Sequence, residues 1–83
     1  MRIFYTKKAT KNLESLSRDV QKRIAKKMRF FAAYKDPLKF AERLTDYLEG
    51  SFRFRIGDYR VAFDVVKGDI YVLKIKKRDK AYD

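Results

Sequence analysis

The chain has 83 residues, 46% of them hydrophobic, which suits one small domain spanning residues 1–83 with a modest core. It has neither cysteine nor histidine, which excludes a disulfide framework, thiolate metal ligation and imidazole catalysis, and no cofactor or metal is expected. Its 22 Lys+Arg against 11 Asp+Glu give a formal charge of +11, which attracts polyanions and puts nucleic acid ahead of a membrane surface. Charge arrives too early in residues 1–8 for a signal peptide, and no run is long enough to span a bilayer, so a cytoplasmic protein is expected.

Residues 2–5 alternate weakly and are aromatic and β-branched enough for a short strand, with Ile3 and Tyr5 on one side. From Lys8 the period changes: Ala9, Leu13 and Leu16 fall at i, i+4 and i+7, which predicts a first helix ending near Ser17. Ser17 then caps a second helix whose stripe Val20, Ile24, Met28 and Phe31 reads as core. Lys22, Arg23, Lys26 and Lys27 look outward, as a solvated face or as a surface that steers RNA. Asp36-Pro37 stops this helix and starts a short one capped by Asp36, with Leu38, Ala41 and Leu44 as its buried side. Residues 43–50 read equally as helix or as an extended approach to the next strand. Residues 1–50 hold 13 basic and 6 acidic side chains and residues 51–83 hold 9 and 5, so any charged patch arises from folding.

The centre of the chain is Ser51 to Arg60. Phe52, Phe54 and Ile56 alternate with Ser51, Arg53 and Arg55, the two-residue period of a strand with one apolar and one charged face. Gly57-Asp58 suits a two-residue hairpin turn, pairing Ile56 with Tyr59 and Arg55 with Arg60. Two arginines at about 5 Å repel by about 3 kcal/mol at an effective dielectric of about 20, before salt screening. An anion that neutralises this face, phosphate above all, accounts for the pairing.

In the next two strands, residues 59–66 and 70–77, a three-residue loop over Lys67, Gly68 and Asp69 is expected, which pairs Val65 with Tyr71, Phe63 with Leu73 and Val61 with Ile75. That register collects Arg53, Arg55, Arg60, Lys74 and Lys76 on one outer face, with Arg78 continuing the alternation and Arg60 opposite Lys76. The expected fold is α+β: an N-terminal strand, two helices, then an antiparallel three-stranded meander, with the helices packed on one face of a mostly antiparallel sheet.

The run from Gly50 through Phe52-Arg53-Phe54-Arg55-Ile56-Gly57-Asp58-Tyr59-Arg60-Val61, followed by Val72-Leu73 and Lys77-Arg78 with Tyr82, resembles the RelE branch of the RelE/ParE toxin superfamily. The resemblance implies the toxin of a type II toxin–antitoxin system, a ribosome-dependent endoribonuclease that cuts mRNA in the A site by 2′-hydroxyl attack. The partners it implies are the ribosome and mRNA, a cognate antitoxin, and operator DNA only through the antitoxin complex; no membrane is involved. It implies that Arg53 and Arg55 hold the phosphate backbone, that Arg60 and Arg78 stabilise transition-state charge, and that Tyr82 stacks on or orients a base. Lys74 and Lys76 would bind RNA. The family's best-studied members carry lysines where this chain has Arg53 and Arg55, and an arginine stays protonated near neutral pH. The general base then falls to Lys76, beside Arg60, or to Asp58, Asp64 or Glu49, which read first as a turn residue, an ion-pair partner of Lys74 and a loop residue. Two other functions compete: a ParE-like poison of DNA gyrase, which has no obvious need of the arginine row, and a non-catalytic basic nucleic-acid-binding module.

Overall fold

The computed structural model describes residues 1–45 and 50–78. Strand β1 (Ile3–Tyr5) leads into helix α1 (Lys7–Glu14) and helix α2 (Arg18–Ala33), then a 3-10 turn over Pro37–Phe40. Strands β2 (Glu42–Arg43), β3 (Phe52–Ile56), β4 (Tyr59–Val66) and β5 (Asp69–Lys77) complete the chain. They form one sheet in the order β1-β5-β4-β3-β2, with β1 parallel to β5 and every other pair antiparallel. The α+β architecture expected from the sequence is the one observed, with β2 as an additional edge strand.

Local chemistry sets the helix starts. Thr6 Oγ1 accepts from Ala9 N at 3.1 Å and Ser17 Oγ from Val20 N at 3.3 Å, each satisfying an orphan donor of a first turn. Helix α2 ends at Ala33, and Asp36 makes no side-chain cap on the 3-10 turn, contrary to expectation. The α2 stripe is core: Ile24, Met28 and Phe31 are buried against Phe54, Val61, Phe63, Ile70, Val72 and Ile75. Phe31 stacks on Phe54 at 4.5 Å between centroids, and Phe54 on Phe63 at 4.4 Å, so helix and sheet lock through three rings. Full burial contributes about 1.5–3 kcal/mol for each such side chain, which makes this contact the main hold of α2 on the sheet.

The β4–β5 register differs from the expected one over half its length. Arg60 pairs with Lys76 and Val61 with Ile75 as expected, but Val65 pairs with Ile70 and Phe63 with Val72, across a two-residue Lys67-Gly68 turn. Both turn residues have positive φ, +51° and +81°, which is the type I′ geometry that matches strand twist. The two registers are reconciled by an irregularity between Ala62 and Phe63, where Leu73 is the extra residue on β5. Ile70 and Val72 therefore face the core with Ile75, while Tyr71, expected inside, stacks on Phe4 at 5.1 Å. With Leu73 in the strand, strict alternation would have put either Ile70 and Val72 or Ile75 on the wrong face.

Helix α1 supports the irregular stretch. Beyond the end of β1, Thr6 Oγ1 donates to Leu73 O at 3.3 Å and Asn12 Oδ1 accepts from Ile75 N at 3.0 Å. The ladder groups that lose a strand partner are thus satisfied by side chains. The result is a fixed outward aim for Lys74 and Lys76.

Candidate nucleic-acid interface on the outer sheet face

The face of β3, β4 and β5 turned away from the helices carries Arg53, Arg55, Arg60, Lys74 and Lys76. In β3 and β4, Arg55 pairs with Arg60 and Arg53 with Ala62; in β4 and β5, Ala62 pairs with Lys74 and Arg60 with Lys76. Arg53, Arg60, Lys74 and Lys76, with Leu44 and Ala62, line a small recess of about 20 Å³, room for one water-sized group. Ala62 is the reason the recess exists, since its short side chain leaves the floor open between Arg53 and Lys74. Arg78, just beyond β5, donates its backbone N–H to Asp58 O of the β3–β4 turn, which holds that residue beside the hairpin that carries Arg55 and Arg60. Tyr82 and Glu49 lie outside the described residues.

Sequence reasoning missed Glu42. Strand β2 sets it opposite Arg53, and its carboxylate reaches two arginines at once: Oε2 lies 2.7 Å from an Arg53 terminal nitrogen and 3.1 Å from Arg53 Nε, and Oε1 lies 2.8 Å from Arg55 Nε. The anion that the Arg55–Arg60 pairing called for is thus partly internal. The hydrogen bond from Arg53, together with the charges of Arg53, Arg55 and Arg60, holds the Glu42 carboxyl below its ordinary value despite the opposing cost of desolvation. Arg60 is shifted the other way from a typical ion-paired arginine. Desolvation lowers it first, the neighbouring charges of Arg53, Arg55 and Arg78 lower it further, and Glu42 partly offsets them. Its half-buried side chain, which lines the recess, has Nε out of solvent, so its positive charge is partly desolvated there.

Strand β2 is held to this face by the start of β3. Leu44 N donates to Ser51 O at 2.9 Å, and Ser51 N donates to Asp64 Oδ1 at 2.7 Å. Asp64, expected beside Lys74 as an ion pair, thus anchors the residue that leads into β3. Gly50 is buried against the irregular stretch with φ of +124°, and a Cβ there would stand 3.1 Å from Phe63 O. Asp58 sits in the hairpin turn as expected, and Lys76 is exposed at the recess rim. Among the described residues no group of histidine, cysteine and carboxylate side chains is placed to hold a metal ion, and no helix is long and apolar enough to cross a membrane.

A family model described as the ParE toxin of the type II toxin–antitoxin system parDE matches residues 3–82. The chain belongs to this toxin family. The toxin is also similar to a chain of the RelE–RelB complex of Pyrococcus horikoshii OT3, with 30% identity and a TM-score of 0.72 over 95% of this chain and 96% of that one. A chain of the RelBE2 toxin–antitoxin complex of Mycobacterium tuberculosis matches at 22% identity and a TM-score of 0.76, covering 93% and 96%. The second likeness is one of fold. A search of curated proteins gives no match. As a toxin of the RelE/ParE superfamily, the protein has two helices on one side of an open five-stranded sheet and its cationic row on the other.

Proposed function

We propose that the toxin is a ribosome-dependent endoribonuclease that cuts mRNA by 2′-hydroxyl attack, and that Arg53, Arg55, Arg60, Arg78 and Glu42 carry the reaction. The observation that supports this reading is the Glu42 carboxylate held between Arg53 and Arg55 beside the desolvated Arg60. Planar guanidinium forks that bind a carboxylate also suit a phosphate, and a phosphodiester arriving at Arg53 and Arg55 displaces Glu42 from them. Released from its partners, the carboxylate regains basicity and stands next to the phosphate it has yielded to. It then accepts the 2′-hydroxyl proton as the 2′-oxygen bonds to phosphorus and the bond to the 5′-oxygen breaks. The products are a 2′,3′-cyclic phosphate and a 5′-hydroxyl, the latter protonated by an ammonium of the recess, Lys74 or Lys76. Arg60 and Arg78 stabilise the additional charge on the phosphorane. Tyr82 follows Arg78 closely enough in sequence to orient a base.

The partners of this reading are the ribosome with its mRNA and a cognate antitoxin; the chains similar to this toxin come from RelE–RelB and RelBE2 complexes. Operator DNA enters only through the antitoxin complex. The ParE description of the matching family favours a second reading, a gyrase poison acting through protein contacts. Primer extension on mRNA from a cell-free translation reaction separates the two. New cuts that require ribosomes, are absent on naked mRNA and disappear in Arg60→Ala support the nuclease. Absence of cuts from folded wild type, together with gyrase-dependent DNA cleavage, assigns the poison.

A further inference from the structure

The recess on the outer face is centred on a single methyl group. Strand β4 sets Ala62 directly opposite Arg53 of β3 and Lys74 of β5, and Arg60 stands two residues along the same strand. Lys76, opposite Arg60, closes the far end, and Leu44, which continues β2 through its bond to Ser51 O, supplies the remaining wall. Ala62 is only 8% exposed, so the side chains above it leave little room for solvent.

The chemistry of the lining restricts what can enter. Its polar side chains, Arg53, Arg60, Lys74 and Lys76, are all donors. A hydroxyl seated among them would point its own proton at a cation, whereas a phosphate oxygen only accepts. The volume of about 20 Å³ holds one such oxygen and excludes the phosphorus with its other three. Arg53 belongs to the lining and also meets Glu42 Oε2 at 2.7 Å, so the side on which the rest of a phosphate must lie is the side where Glu42 stands.

We infer that the recess seats one of the two non-bridging oxygens of the scissile phosphate, and that the small side chain of Ala62 sets the size limit for entry. The inference rests on the nuclease reading above and adds to it the orientation of the phosphate. The two non-bridging oxygens are distinct in a chiral site, and fixing one of them fixes the direction from which the 2′-oxygen can approach phosphorus. Both gain charge in the phosphorane, and the seated one shares its charge with four cations where little water competes. Ala62 is thereby a specificity-determining residue although it carries no functional group.

The test uses ribosome complexes programmed with a short mRNA that carries a single phosphorothioate at the mapped cut, its two diastereomers separated. Sulfur is larger than oxygen and a poorer acceptor. Wild type cuts the diastereomer that points sulfur into the recess about 10²-fold more slowly than the all-oxygen mRNA, and cuts the other nearly as fast. Ala62→Gly deepens the recess and narrows the gap between the diastereomers about tenfold. Ala62→Val, β-branched and suited to a strand, keeps a thermal midpoint near that of wild type but fills the recess, and cuts the all-oxygen mRNA about 10²–10³-fold more slowly. Equal rates for the two diastereomers with wild type, a gap that Ala62→Gly leaves unchanged, or a folded Ala62→Val that cuts at the wild-type rate overturns the inference and leaves the nuclease reading in place. A folded wild type that leaves the all-oxygen mRNA intact overturns both.

Discussion

Replacing Glu42 by glutamine removes one negative charge from between two arginines and keeps the side-chain volume. Its effects on stability, binding and cleavage differ in sign. Glu42 is 44% exposed and its partners Arg53 and Arg55 are 23% and 50% exposed, so solvent screens both pairs. Each is then worth about 0.2–1 kcal/mol. The stability lost on substitution is therefore about 1 kcal/mol at low ionic strength, shrinking as salt is added. The pH dependence follows from the direction of the shift. Because the folded carboxyl is held below its ordinary value of 4.5, its contribution is complete above that value and is lost as the pH falls through the lower folded one. The stability gap between wild type and Glu42→Gln is thus flat near neutrality and closes only in acid. Binding moves the other way. A phosphate no longer competes with a carboxylate worth about 1 kcal/mol, so a non-cleavable 2′-O-methyl oligonucleotide binds the variant about fivefold tighter. Cleavage, for which Glu42 is the proposed base, falls about 10²–10⁴-fold. Urea melts across pH, anisotropy with the oligonucleotide and primer extension measure the three. Weaker binding by the variant, or cleavage at the wild-type rate, refutes the role assigned to Glu42.

Three further substitutions test the framework. Asn12→Ala leaves Ile75 N without its acceptor and costs about 1–3 kcal/mol by chemical denaturation, whereas Asn12→Asp retains an acceptor and costs less. Gly50→Ala meets both an unfavourable φ and the Phe63 carbonyl, and lowers stability by about 1–3 kcal/mol; a neutral result refutes the close approach described there. Lys67→Asn suits the first position of the type I′ turn and raises the thermal midpoint, by a gain of up to about 1 kcal/mol; a lower midpoint contradicts the turn assignment.

The hairpin of β3 and β4 was legible because turn chemistry and alternation agreed: Gly57-Asp58 and the two-residue period specify the same Arg55–Arg60 pairing. From that register and the Ile75 end of β5, the common face of Arg53, Arg55, Arg60, Lys74 and Lys76 could be read in advance. The turn end of β5 could not, because period-two reasoning offers only two registers and the strand uses both. A signal was present in the spacing of Ile70, Val72 and Ile75, where a step of two is followed by a step of three. Glu42 was illegible for a different reason. Its strand has two residues, too short for any period to show, and its chemistry depends on an eleven-residue return that lays it against Arg53. The end of α1 was placed too late because Leu16, which follows the helical spacing, packs on the core from the connection beyond Glu14. Tyr47, Leu48 and Tyr82 fall outside the described residues.

The extra residue in β5 makes that strand longer than the path its partner offers. Each strand residue advances the chain by about 3.3 Å, and a surplus of that size is taken up by bending and by added local twist. Leu73 therefore governs the curvature of the sheet where the cations stand, while the identity of each face is set elsewhere. Removing it would leave Ala62 opposite Lys74, Val61 opposite Ile75 and Arg60 opposite Lys76, now in an unbroken ladder with the same residues inside and outside. What would go is the bend, together with the carbonyl that Thr6 Oγ1 now reaches. Deleting that one residue would thus alter how the arginine row is bowed, without exchanging a single charged side chain for an apolar one.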